Sequence, residues 1–251
     1  MHMRKHAGNF IPDGRKRFGH ILGFRLCICH FSTEVRNLVI RQIHHAEFLI
    51  ETESGFRIVT DPYDSSCGYP VETVQADAVL VSHGHHDHNA VENVSGHPSV
   101  IREEGVFSPD PMIRVTSVSG YHDDEQGKKR GTTLLFLIEA EGLRIVHLGD
   151  LGCLPDEEKI RKLFRPDILM IPVGGFFTID GKQAAETAKM LEARTVLPMH
   201  YKTEYIAGWP ISGPDEFIKA YSGQTVFRDA EALRVTAGDM ECQPQVVLFR
   251  Q

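Results

Sequence analysis

The chain has 251 residues, 41% of them apolar and 24% charged, a composition that can bury a core and excludes disorder as its resting state. None of its apolar runs approaches the roughly 20 residues of a membrane-spanning helix, so a helical membrane protein is excluded. A net charge of -7 with a pI near 6.0 gives no overall basic field for nucleic acid, although a bound cation can still draw in an anionic substrate.

Residues 1–36 differ from the rest. Seven Lys or Arg stand there against Asp13 and Glu34, a net of +5 that leaves -12 for residues 37–251. The apolar stretch 20–31 is interrupted by Arg25, and no small-residue cleavage site follows, so it does not read as a secretory signal. It reads as a basic N-terminal extension outside the fold. Cys27, Cys29, Cys67, Cys153 and Cys242 are odd in number and scattered, which argues against a disulfide framework and for reduced thiols in a cytoplasmic protein. Cys153 is the thiol nearest in sequence to a candidate ligand.

From residue 37 the pattern is one of short strands. Stretches 38–43, 46–51 and 56–60 are β-branched or alternating, and Glu53-Ser54-Gly55 supplies a turn. Stretch 78–82 is an apolar strand that runs into histidines. Strands follow at 113–118, 132–140 and 143–148, the last two joined across Glu141-Gly142. Then the period changes: 156–164 is helical, 168–172 a buried strand, 181–193 a helix with Thr178 or Asp180 as N-cap, and 195–198 a strand. A short helix at 215–221 precedes closing strands near 232–235 and 245–249. No repeat of 20 to 50 residues is visible. Strand meanders followed by strand–helix alternation predict layered sheets with helices outside, in one domain.

Four of the fourteen histidines fall within residues 83–88, in Ser82-His83-Gly84-His85-His86-Asp87-His88. Imidazole and carboxylate ligands suit Zn²⁺ and related cations, and a loop leaving a strand end can aim alternate side chains at one point. His83 and His85 can share one ion, while Asp87 and His88, after the chain turns, can serve a second. A histidine-rich loop can also be a solvated surface or an adventitious metal binder. The H-x-H-x-D-H spacing after an apolar strand weighs against that reading.

This motif resembles the signature of the metallo-β-lactamase superfamily. Gly120-Tyr121-His122-Asp123, His147-Leu148-Gly149-Asp150-Leu151-Gly152 and Leu197-Pro198-Met199-His200-Tyr201 follow predicted strands in the order of the family's remaining ligands. Leu49-Ile50-Glu51-Thr52, Thr60-Asp61-Pro62 and Arg130-Gly131 are similar to the branch of small metal-dependent hydrolases related to ascorbate-6-phosphate lactonase. The resemblance covers residues 37–251, a metallo-β-lactamase-like hydrolase domain. It implies an α/β (α+β) fold, a four-layered αββα sandwich. It also implies a hydrolase with two divalent cations, Zn²⁺ foremost and Mn²⁺ or Fe²⁺ as alternatives, whose bridging hydroxide cleaves an ester, lactone or phosphodiester bond. By the same resemblance His83, His85 and His122 take one cation, Asp87, His88 and His200 the other, and Asp150 bridges. Asp87 is the expected catalytic residue, orienting the hydroxide or relaying its proton. Asp61 is expected to orient a ligand histidine by accepting its other N–H. Taken singly, Asp150 reads equally well as a turn cap and His200 as a satisfied core histidine.

Other positions carry weaker expectations. His86 is the motif's variable position and is expected to point elsewhere, and His147 to lie in the core or behind the ligands. His44-His45-Ala46 resembles the Gly-His-Ala that opens many members, with His44 replacing the glycine, so His45 is expected at the pocket rim or in a structural role. Arg130 and Lys202 are candidate cations for a substrate phosphate or carboxylate, or else solvated charges. The loop 174–178 either lays Phe176 and Phe177 over the ligand or supplies backbone freedom. The expected partner is a small, anionic molecule, with no membrane and no nucleic acid, and a homo-oligomer is left open. A non-catalytic domain that retains metal for binding or regulation is the alternative reading. The diiron oxygen reductases of this fold are disfavoured, because they normally place a carboxylate where His85 stands.

Overall fold

Alternating apolar residues build two large sheets, accompanied by one two-stranded pair. The computed structural model describes residues 37–222, 224–238 and 245–251, so the expectation for residues 1–36, and Cys27, Cys29 and Cys242, lie outside the described residues. The first sheet has six strands in the order Leu233–Thr236, Asn37–Gln42, Phe48–Thr52, Arg57–Thr60, Ala78–Leu80 and Ser99–Ile101. Its last three strands are parallel and the others antiparallel. The second has eight, in the order Thr225–Ala230, Gln245–Phe249, Thr195–Met199, Ile168–Pro172, Leu143–His147, Thr132–Ala140, Ile113–Tyr121 and Gly105–Asp110. It is parallel from Thr225–Ala230 to Leu143–His147 and antiparallel beyond.

Period-two alternation decides which face each side chain covers. In the second sheet Phe136, Ile138, Ile145, Ile168, Met170 and Leu197 point into the core shared with Leu38, Ile40, Phe48, Ile50 and Ile58 of the first sheet. Their neighbours Leu135, Leu137, Val146, Leu169, Ile171 and Val196 face the helices instead. A sheet buried on both faces thus reads as continuous apolar runs, as at 168–172. Helix Gly181–Met190 lays Ala184, Ala185 and Ala188 on that outer face, and Phe217 of helix Asp215–Ala220 joins them. Small side chains let the helix backbone approach closely.

The outer face of the first sheet is covered differently. Val59, Val79 and Val81 pack against Tyr63, Tyr69, Cys67, Ile206 and Ile211, which belong to irregular chain and the 3₁₀ turn Ser65–Cys67. Val74 and Val94, from the parallel strand pair Val74–Gln75 and Val94–Ser95, join them, so the fourth layer of the sandwich is loop, 3₁₀ turn and this short pair, and among the described residues no α-helix lies in it.

Local chemistry sets most boundaries. Asp180, not Thr178, caps Gly181–Met190, accepting from the Lys182 and Gln183 N–H groups while the Gln183 side chain returns to the Asp180 N–H. Asp156 caps Glu157–Leu163 in the same way, accepting from the Lys159 N–H. Glu141 and Gly142 both have positive φ, 53° and 76°, the two-residue hairpin turn that a right-handed strand twist favours. Strands Gly105–Asp110 and Thr225–Ala230 escape the sequence pattern because each is a sheet edge with many exposed residues, and the first contains Pro109. The strand expected near 232–235 runs Leu233–Thr236 and joins the first sheet, beside Asn37–Gln42, rather than Gln245–Phe249.

Candidate metal centre

Strands stop and the site begins. Asp61 follows Arg57–Thr60, His83 to His88 follow Ala78–Leu80, His122 follows Ile113–Tyr121, Asp150 follows Leu143–His147, and His200 follows Thr195–Met199. Backbone hydrogen bonds tie these loops together. Leu134 N–H donates to the Ser82 carbonyl (2.8 Å), Gly152 N–H to that of Tyr121 (2.8 Å), and His200 N–H to that of His45 (3.3 Å). Two glycines permit this closeness: a Cβ on Gly152 would stand 2.3 Å from the Asp123 nitrogen, and one on Gly174 would stand 2.3 Å from the His200 carbonyl oxygen. Gly174 is thus a packing requirement of the His200 loop as much as a source of freedom. His45, Asp61 and His200 all have positive φ, 54°, 40° and 50°, conformations that cost non-glycine residues energy and gather at sites the surrounding fold over-determines.

The seven expected ligands converge. Ligand atoms of His83, His85 and His122 lie within 4.8 Å of one another, and so do those of Asp87, His88, His200 and His45. His88 N–H donates to the His85 carbonyl (3.0 Å), the turn that sends Asp87 and His88 to a different side from His83 and His85. Asp150 reaches both groups. Its Oδ2 is 3.3 Å from His122 Nε2, 3.8 Å from His83 Nε2 and 3.2 Å from His200 Nε2, and its Oδ1 is 3.2 Å from His88 Nε2. Asp61, fully buried, accepts the Ser82 N–H (2.7 Å), the Ser82 hydroxyl (2.7 Å) and His88 Nδ1–H (2.9 Å), which turns His88 Nε2 toward Asp150 and Asp87.

Burial and charge set the protonation. Burial pushes His83 down to about 3 and His45 down to about 4, so both rings are neutral, the form that binds a cation. Burial would raise Asp150 and Asp87, but the imidazoles of His200 and His88 around Asp150, and that of His88 beside Asp87, hold both far below the carboxylate range. His88 is itself raised, since Asp150, Asp87 and Asp61 together outweigh its burial. Three buried carboxylates demand positive charge at this point.

The donor set fits a cation. His45 Nδ1 and Nε2, His88 Nε2, His122 Nδ1, Asp150 Oδ1 and His200 Nδ1 are buried and have no aligned hydrogen-bond partner, although several lie within ion-pair distance of one another. Buried polar atoms are rarely left so. A group of nitrogen and carboxylate donors aimed at common points supplies what divalent cations of the Zn²⁺ type take.

The remaining expectations divide. His45 is not at the rim. Its side chain is fully buried, with Nε2 3.3 Å from Asp87 Oδ2 and its ring 4.1 Å from that of His200. His86 points away from the cluster, with Nδ1 3.0 Å from Ser66 Oγ. His147 lies behind the ligands, Gly149 N–H donating to its Nδ1 (3.1 Å) and its Nε2 reaching the Ala46 carbonyl (3.1 Å). Cys67 and Cys153 are free thiols, and burial raises both, so neither is an activated nucleophile.

A cavity of about 460 Å³ opens over the cluster, lined by its residues together with Arg130, Phe177, Trp209 and Pro210. The Arg130 guanidinium lies 5.5 Å from the Phe177 ring centroid. Lys202 and Phe176 are exposed and do not line it, because Phe177 alone of the phenylalanine pair turns inward. Two contributors are absent from the sequence reading. Trp209, the chain's one tryptophan, stands between Gly208 and Pro210 in an irregular stretch that its own periodicity does not place. Asp123 accepts four backbone N–H groups, of Glu125, Gly127, Lys129 and Arg130, which shape the loop from His122 to Arg130. Burial would raise Asp123, but those donors hold it at about 2. The adjacent Asp123-Asp124 pair before a Gly-containing turn was the available signal.

Comparison with known proteins agrees with this geometry. Residues 39–200 match the model of the β-lactamase superfamily domain. A UPF0173 metal-dependent hydrolase of Methanosphaera stadtmanae is 33% identical over 196 residues, 65% of this chain and 84% of the relative. One from Thermococcus onnurineus is 30% identical over 209 residues, 72% of this chain and 90% of the relative. A Thermotoga maritima structure, described as a Zn-dependent hydrolase of the metallo-β-lactamase superfamily, superposes with a TM-score of 0.70 at 32% identity, over 85% of this chain and 100% of that one. The chain belongs to the β-lactamase superfamily, in the group of the UPF0173 metal-dependent hydrolases.

Proposed function

We propose that this superfamily member is a hydrolase of small anionic molecules that works with two divalent cations, Zn²⁺ foremost. The observation that carries the reading is Asp150, a buried carboxylate within 4 Å of histidines from both groups. His83, His85 and His122 would hold one cation and Asp87, His88 and His200 the other, with Asp150 shared. Bound there, the cations supply Lewis-acid activation of water and of the oxygen on the scissile group.

The chain's own residues do the rest. Asp87 lines the cavity floor, where its carboxylate can accept and pass on a proton. His45, packed between Asp87 and His200, holds both in place and keeps water from behind them. Asp61 fixes the His88 ring. Arg130 faces the cavity as a cation stacked on Phe177, suited to a substrate carboxylate or phosphate, while Phe177, Trp209 and Pro210 offer apolar surface to the substrate's body. Residues 37–251 make up this hydrolase domain and residues 1–36 an extension outside it.

The test combines elemental analysis with a screen of lactones, phosphodiesters and thioesters bearing a carboxylate or phosphate. Hydrolysis that chelation abolishes and Zn²⁺ or Mn²⁺ restores is the expected result. A purified chain without metal that takes up none on reconstitution would sink the proposal.

A further inference from the structure

A second convergence of metal-ligating side chains lies beside the centre and uses none of its groups. Asp64 caps the 3₁₀ turn Ser65–Cys67, and the three-residue period of such a turn places side chains i and i+3 on one side. Asp64 and Cys67 are therefore brought together by local geometry. His86 is delivered from a distant loop, because the Asp64 N–H donates to the His86 carbonyl (3.2 Å). The result is a triangle of three different ligand atoms. His86 Nδ1 stands 3.5 Å from Cys67 Sγ and 3.5 Å from Asp64 Oδ1, and Sγ is 4.0 Å from Oδ1.

These edges can be compared with a coordination tetrahedron. Zn–S bonds near 2.3 Å and Zn–N or Zn–O bonds near 2.0–2.1 Å separate sulfur from nitrogen or oxygen by about 3.5 Å, and nitrogen from oxygen by about 3.3 Å. The sulfur–nitrogen and nitrogen–oxygen edges already match to about 0.2 Å, and the third closes by a movement of about 0.5 Å. Ser66 Oγ, 3.0 Å from His86 Nδ1, donates to Asp64 Oδ1 (2.5 Å), too close to that oxygen to be a further ligand, so the fourth corner is left to a water. Cys67 is 1% exposed while the His86 side chain is 55% exposed, so the sulfur anchors the site from inside and the imidazole leaves it open to an ion arriving from solvent.

We propose that Asp64, Cys67 and His86 form a third cation site, selective for thiophilic divalent ions such as Zn²⁺ or Cd²⁺, with a water at the fourth corner. Binding forms the sulfur–metal bond and releases the Cys67 proton to solvent. Sulfur makes this site softer than the nitrogen and oxygen centre next to it, which shifts its preference toward the more thiophilic ions. His86 also lines the substrate cavity, and an ion here pins that wall to the Ser65–Cys67 turn. The proposal stands whether or not the neighbouring centre is a hydrolase.

Cobalt(II) distinguishes the sites. The full-length chain, stripped with a chelator and titrated with Co²⁺, gains a near-ultraviolet thiolate-to-cobalt charge-transfer band only where sulfur is a ligand. The expected result is such a band in the wild type, lost in Cys67→Ser and in His86→Ala, each variant binding about one cation per chain fewer, and kept in Cys153→Ser. His86 is largely exposed, so its variant decides the matter if Cys67→Ser does not fold. Visible cobalt bands without the charge-transfer band would refute the third site and leave the centre standing. A band that survives Cys67→Ser or His86→Ala, or that vanishes in Cys153→Ser, would equally overturn it.

Discussion

Between the two sheets, His147 is completely buried and both ring nitrogens are engaged, one by the Gly149 N–H and the other by the Ala46 carbonyl. At the strand ends His45 is buried as deeply, and neither of its nitrogens has an aligned partner. The same contrast holds for the surroundings. The sheet interior is aliphatic and aromatic, with Phe136, Ile138 and Ile145 fully enclosed, whereas the strand ends enclose three carboxylates and several imidazoles. Burial in the first region lowers the free energy by itself, at about 25 cal/mol per Å² of apolar surface. In the second it costs free energy unless something arrives to satisfy the donors, and that difference locates the site.

Asp150→Ala should strike this contrast hardest. Removing the one anion that both groups share should empty this centre of its two cations, and abolish hydrolysis with them. A variant that keeps both cations and full activity would show that the strand-end carboxylate is only a cap. Phe136→Ala attacks the other region. The expected loss is about 3–5 kcal/mol of stability with metal content per folded chain unchanged, measured by denaturant unfolding and elemental analysis side by side. Loss of metal at unchanged stability would mean that the regions are not separable.

Asp61→Asn is a subtler probe, because it keeps the shape and removes the charge that orders the His88 ring. Metal affinity should fall about 10- to 100-fold, read by competition with a chelator, while the folded state persists. Equal affinity would mean that His88 is oriented by packing alone. The smallest effect is expected for a truncated chain that begins at Asn37. Its metal content and melting temperature should match those of the full chain, and normal melting without hydrolysis would show that residues 1–36 reach the site.

Much of this was legible in the residues. His83, His85, Asp87 and His88 announce themselves because a strand end followed by alternating ligands needs only local geometry to form a cluster. His122, Asp150 and His200 were legible through motif and order, each directly after an apolar strand. What stayed hidden depends on distant pairs. For His45 a rim place and a structural role stay open in the sequence, because its turn gives no sign that a φ of 54° and the bond from His200 N–H to its carbonyl draw it inward. Lys202, two residues past His200, reads either as a substrate cation or as a solvated charge, and only the fold, which carries it outward, decides for the second.

Apolar periodicity determined the interior strands of both sheets and the helices, and the ligand motif singled out the candidate metal-binding residues, since period and local spacing are properties of a single segment. How closely those groups approach one another was decided only in the tertiary structure. So were the facing of Arg130 and Phe177 across the cavity, the placement of Trp209, and the meeting of Asp64, Cys67 and His86. Each of these contacts joins segments from different parts of the chain, and only the packing of the two sheets fixes the distance between their strand ends.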